Sequence, residues 1–111
     1  MSDRSQELYR QDILDAINRI TRYVKGMSYE QFRSDEKTVD AVVRNIEIIG
    51  EATRNIREET KRSYSHAPWQ KAVSMRNRIS HGYFGVSLQV VWETARDDLS
   101  EYKRLIAEVK I

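Results

Sequence analysis

In the stretch MRNRISHGYFG, residues 75–85, Arg76 and His81 stand five positions apart, with Asn77, Arg78, Ser80 and Tyr83 around them. His81 is one of only two histidines in the chain. Imidazole titrates near neutral pH, so His81 can accept a proton from a hydroxyl or return one to a leaving oxygen. Guanidinium offers a planar fork of donors that matches phosphate oxygens and stabilises added charge in a transition state. Together they suit phosphodiester chemistry in RNA, where the 2′-hydroxyl is a built-in nucleophile. No carboxylate or thiol cluster surrounds His81, which agrees with a route that needs no metal.

The element that carries these residues sets what they can do. Five positions along an ideal helix is about 140° of rotation, so Arg76 and His81 do not share a helical face. Asn77 and His81 do, and so do Arg76 and Ser80, each pair being four apart. Gly82 directly after His81 predicts that the last turn unwinds. An unwound end would let Arg76 and His81 converge, with Asn77 holding the imidazole by a hydrogen bond. A purely structural role fits the same spacing: a histidine at a helix C-terminus meets free carbonyls and the negative end of the dipole. Arg78 then is a solvated residue, and Tyr83 and Phe84 anchor the turn.

The rest of the chain reads as helices. Ile13, Ile17, Ile20, Val24 and Met27 step by four and three, which predicts a helix over about residues 4–25, ending at Gly26. Residues 26–34 read as a connection. Val39, Val42, Ile46, Ile49, Thr53 and Ile56 place a second helix from Ser34 or Asp35 to about Lys61. Gly50 lies inside it at a cost of about 1 kcal/mol against alanine, which points to close approach by another helix. Pro68 opens a short third helix to about Ser80, with Trp69, Ala72, Val73 and Ile79 available to the core. Ser87 caps a fourth, with Val91, Ala95, Leu99 (or Asp98), Tyr102, Ile106 and Val109 inward. The expected fold is all-α: an antiparallel bundle of three long helices and one short one.

Composition narrows the function classes. One domain over residues 1–111 is expected. Four glycines and one proline leave few helix breakers, and the absence of cysteine removes disulfides and thiolate chemistry and fits a cytoplasmic setting. No apolar run is long enough to span a bilayer, and the start, MSDRSQELYR, is too polar for a signal peptide. A net charge of +2 among 32% charged residues describes a mixed surface, compatible with nucleic acid without demanding it. His66, just before Pro68, reads as a cap or loop residue, and two histidines alone make a poor metal site. Glu47 and Glu51, four apart on the second helix, read first as a solvated face, with a place near the cleft, excluding or positioning groups, as the alternative. Arg54, Arg57, Lys61 and Arg62 suit a helix C-terminus first and part of an RNA-binding surface second, since Glu58 and Glu59 dilute the patch; Tyr64 and Trp69 suit packing rather than base stacking.

The run Arg76 to Tyr83, R-N-R-I-S-H-G-Y, resembles the R-x-x-x-x-H-x-Y motif of HEPN-domain toxins of the HepT type. NIEIIGEATRNI (residues 45–56), Pro68–Trp69 and GYFGVSLQVVW (residues 82–92) resemble flanking segments of that family in the same order, so the resemblance covers nearly the whole chain. It implies a HEPN-like helical bundle that works as a homodimer, with two copies of the motif facing one cleft, and a metal-independent endoribonuclease. It also implies a partner, an MntA-type minimal nucleotidyltransferase that acts as antitoxin and silences the site by AMP transfer. Carried over, Arg76 and His81 are the catalytic pair, Asn77 is the polar neighbour that helps orient them, and Tyr83 matches the AMP acceptor; Ser80, on the row of Arg76, is read as a further supporting residue. No cofactor is implied. A dimer would supply a second imidazole, so that acid and base are separate groups; one histidine with a water relay is the alternative. The rival expectation is a non-catalytic helical dimer that serves as binding partner or scaffold of a nucleotidyltransferase.

Overall fold

A computed structural model describes residues 5–82 and 87–111, with side chains described for 5–77 and 87–111. The described chain is all helix and turn, with no strand among the described residues, in agreement with the all-α, HEPN-like expectation. The helices are α1 (Gln6–Val24), α2 (Tyr29–Ser34), α3 (Glu36–Arg54), α4 (Glu58–Ser63), α5 (Trp69–Gly82), α6 (Leu88–Glu93) and α7 (Leu99–Glu108). A π-helical turn, Thr94–Asp98, joins α6 to α7 without a break.

The core follows the apolar stripes. Ile13, Ile17, Ile20 and Val24 of α1 meet Val39, Val42, Ile46 and Ile49 of α3, all of them buried. Fully burying one such side chain contributes about 1.5–3 kcal/mol. The two helices run antiparallel. Gln6 at the start of α1 donates to Asn55 O (3.0 Å) and accepts from Arg57 N (2.9 Å) just past α3. Further along, Arg19 donates to Asn45 Oδ1 (2.8 Å). Arg10 ties α1 to the end of α7, its Nε donating to Ile106 O (3.2 Å) and Nη2 to Ala107 O (2.8 Å). Carbonyls at a helix end run short of backbone donors, and Ile106 O also accepts from Val109 N (3.1 Å).

Helix ends carry the expected chemistry. Ser5 accepts from Leu8 N, and Asp35 accepts from Thr38 N (3.1 Å) to start α3. The Thr38 bonds lead in holding the Asp35 carboxyl below its usual range. Ser87 caps α6 through Gln89 N (3.2 Å).

Several boundaries differ from the sequence reading. The connection before α3 contains α2, started by a reciprocal Ser28–Gln31 capping box, which seats the fully buried Phe32 against Trp92 (ring centroids 5.1 Å). The second long helix stops at Arg54 rather than near Lys61. Asn55 donates its side-chain amide back to Glu51 O (2.8 Å), and the chain turns so that Ile56 is buried outside the helix. Residues 58–63 form the separate α4, so Arg54 ends α3, Arg57 precedes α4, and Lys61 and Arg62 end α4. Met27 is only partly buried. In the last helix the buried residues Val91, Ala95 and Leu99 are spaced by four and four, which drifts around a 3.6-residue turn. The wider π turn absorbs that drift, closed by Leu99 N donating to Thr94 O. Among the described residues no helix is long and apolar enough to cross a membrane.

Candidate functional site

The short helix α5 carries the motif, and its placement depends on one missing side chain. A Cβ at Gly50 would overlap Arg76 Cβ, come within 2.7 Å of Arg76 Cγ and 3.1 Å of Ala72 O. The stem of Arg76 therefore lies directly across the α3 backbone, as the mid-helix glycine predicted. Trp69 anchors the start of α5. It is buried, donates from Nε1 to Tyr64 O (3.0 Å) and sits edge-on to Tyr102 (6.3 Å). Tyr64 accepts from Lys110 N (3.1 Å), so both aromatics serve packing and tethering. Met75, not foreseen as core, is buried on the same helix.

The head of Arg76 is half-buried and held at two points. Nη1 donates to Asn77 Oδ1 (3.2 Å), and Nη2 lies 3.4 Å from Glu51 Oε2 on α3. Asn77 thus pairs with the arginine, and Glu51, expected on a solvated face, faces the motif. This is the alternative the sequence offered for Glu47 and Glu51, and which of the two meets the arginine depends on how α5 crosses α3. Glu51 keeps its other oxygen near Asn55 Nδ2 (3.5 Å).

The helical backbone of α5 continues through His81 to Gly82, so the unwound last turn does not occur. Ser80 and His81 take helical register positions, Ser80 on the row of Arg76 and His81 on the row of Asn77. Any convergence of Arg76 and His81 must then come from side-chain reach or from a second copy, not from a loosened backbone. The side chains of Ser80 and His81, and Tyr83 and Phe84 altogether, lie outside the described residues. His66 lies in the exposed turn before α5, its ring 6.4 Å from that of Tyr64, as expected of a loop residue.

On the other flank of α5 a cavity of about 180 Å³ opens between α3, α5 and α7. Ile46, Ile49, Ala72, Met75 and Tyr102 form its apolar wall, and Lys71 and Asp98 (3.2 Å apart) stand at its rim. Behind it Thr53 and Tyr102 share a buried hydrogen bond of 2.7 Å, and burial pushes the Tyr102 phenol up to about 12. Arg76 and Asn77 do not line this cavity. The chemistry of the motif is not there, since the wall offers no phosphate-binding fork. No group of three or more potential metal ligands occurs among the described residues.

An arginine presented in this way, on a helix whose histidine follows five positions later, can be set against known proteins. The family model described as Ribonuclease HepT-like matches residues 13–109. The chain belongs to the HepT-like ribonuclease family. A probable ribonuclease HepT of Thermococcus cleftensis is 40% identical, the match covering 90% of this chain and 91% of that protein. A putative RNase of Caldanaerobacter subterraneus subsp. tengcongensis is 36% identical over 91% of this chain and 90% of its own. One from Methanocaldococcus jannaschii is 36% identical over 94% and 86%. No solved structure matches. The match to the HepT-like model takes in all of α2 to α7, including Gly50, Glu51 and the whole motif helix.

Proposed function

We propose that this HepT-like chain is a metal-independent endoribonuclease, the toxin of a toxin–antitoxin pair, acting as a homodimer on RNA. The observation that carries the reading is the Arg76 guanidinium: half-buried, tethered on two sides, and on the same helix as His81. In this mechanism His81 takes the proton of the 2′-hydroxyl. That oxygen attacks the adjacent phosphorus, the bond to the 5′-oxygen breaks, and an imidazolium protonates the leaving oxygen. The product is a 2′,3′-cyclic phosphate and a free 5′-hydroxyl. Arg76 neutralises the charge gathering on the phosphate oxygens. Asn77 and Ser80 support the geometry from neighbouring rows of α5.

The homodimer reading draws on the same helix. Arg76 and His81 are about 140° apart around a continuous α5, so a two-fold axis offers each phosphate an arginine and two imidazoles from two chains. Silencing by the MntA-type nucleotidyltransferase follows as a group transfer. The Tyr83 oxygen attacks the α-phosphorus of ATP, pyrophosphate leaves, and the phenolic proton is released. The added anion would compete for Arg76, the donor the RNA needs.

The test is cleavage of RNA by the purified chain in the presence of EDTA. Arg76→Ala and His81→Ala should each lower the rate by about 100-fold or more, with helix content by circular dichroism and dimer mass unchanged. A chain that binds the nucleotidyltransferase but never cuts RNA would be the scaffold instead. For the silencing step, intact-mass measurement after incubation with the cognate nucleotidyltransferase and ATP should show added AMP, lost in Tyr83→Phe. An unmodified Tyr83 would defeat it.

A further inference from the structure

We propose that Glu51 is a positioning residue for the cleavage site: from α3 it fixes the plane of the Arg76 guanidinium before RNA binds. This rests on the reading of Arg76 as the group that binds the scissile phosphate.

Consecutive residues of α3 meet the stem and the head of one arginine. Gly50 lets the Arg76 stem press against the α3 backbone, and Glu51 Oε2 then lies 3.4 Å from Nη2. From the other side, Asn77 Oδ1 accepts from Nη1 at 3.2 Å. Each amino group of the fork thus has one anchor, and the anchors come from different helices. A guanidinium has five N–H donors. One is given to Asn77, while Nη2 lies in ion-pair range of Glu51 without a formal hydrogen bond. The other N–H groups make no hydrogen bond among the described residues, and they are the donors a phosphate can use. Glu51 itself is steadied through its other oxygen, near Asn55 Nδ2 (3.5 Å).

The pair is too exposed to be a stability device. Arg76 and Glu51 side chains are 28% and 49% exposed, and such ion pairs contribute little to folding. Orientation is a different matter. Charge stabilisation in a transition state depends on donors that are already aimed. A carboxylate also repels the substrate phosphate, so removing it should not weaken RNA binding. Loss of Glu51 therefore acts on kcat and leaves KM unchanged or lower. The amide of glutamine keeps an oxygen that can accept from Nη2, so it should restore the orientation without the charge.

The experiment is steady-state cleavage of a fluorogenic single-stranded RNA by the full chain, comparing wild type, Arg76→Ala, Glu51→Ala and Glu51→Gln. Glu51→Ala is expected to lower kcat about tenfold at unchanged or lower KM, a loss of transition-state interaction alone. Glu51→Gln should return kcat to within about threefold of wild type, with all melting temperatures close together. Wild-type kcat or a higher one in Glu51→Ala overturns the proposal. So does an equal loss in both Glu51 variants, or a loss that follows the melting temperature, since a structural role would give that. An inactive wild type, or an active Arg76→Ala, overturns the cleavage reading itself and this proposal with it. The Arg76→Ala arm is what tells the two failures apart.

Discussion

Helix α3 meets its neighbours in two different ways. Toward α1 the space is filled by branched side chains, with Ile13, Ile17, Ile20 and Val42 fully buried. Toward α5 the approach is set by the lack of a side chain at Gly50, and the residue pressed into that space is an arginine. The first seam is volume matching, and it concentrates stability. The second brings a polar head group close to a helix while leaving it accessible, and a cavity remains on the far flank of α5. The comparison teaches that α5 gives Trp69 and Met75 to the core, yet at the motif it meets α3 through a polar side chain.

Substitutions can break or sharpen that contrast. Ile17→Ala should cost about 2–5 kcal/mol in urea unfolding, because a full core cannot close over the gap. Met75→Ala, at the wall of the α5 cavity, should fall toward the lower end of that range, since the opened space joins one already present. Equal costs would erase the distinction between the two seams.

Gly50→Ala comes next. Alanine gains about 1 kcal/mol in helix propensity, whereas overpacking typically costs about 1–3 kcal/mol, so a net loss of up to about 2 kcal/mol is expected. RNA cleavage should fall further than stability does, because the atoms displaced are those of Arg76. Unchanged cleavage would mean that the seam does not set the arginine.

Tyr102→Phe should cost about 1 kcal/mol through the lost Thr53 bond. It also tests pH dependence. The folded phenol is raised to about 12 from its ordinary 10.0, mainly by burial. The unfolded chain therefore ionises first. The stabilising contribution is whole below pH 10 and is lost as pH rises from 10 toward about 12. Chemical denaturation across that window should show stability falling in wild type and a shallower fall in Tyr102→Phe. The smallest effect belongs to Lys71→Ala. Its 3.2 Å pair with Asp98 is exposed on both sides, so melting should shift by less than the equivalent of about 1 kcal/mol.

Much of the fold was legible because burial has a period. The apolar positions of the long helices named from spacing, Ile13 to Val24, Val39 to Ile56 and Val91 to Val109, are buried. The close approach at Gly50 was legible for a related reason: a costly residue inside a helix needs a compensating contact. The boundaries were less so. Ile56 keeps the helical stripe in sequence yet lies beyond the helix, because Asn55 turns the chain and Gln6 of α1 holds it there. The break is a tertiary event written in a local-looking pattern. The same holds for α2, whose Phe32 is seated against Trp92 some sixty positions later in the chain. At the site, Arg76 and Asn77 announced themselves by type and spacing. Glu51 was only one of two glutamates with an alternative place near the cleft, since nothing local distinguishes it from Glu47.

By itself, then, the amino-acid sequence determined which faces are apolar, where helices can start, and which residues bear chemistry. These are properties of neighbours along one chain, governed by the 3.6-residue turn and by capping. Only the tertiary structure decided where α3 ends, that α5 stays helical through His81, and that Glu51 meets Arg76. Each of those depends on contacts between residues far apart in the chain, whose energies exist only once the helices have crossed.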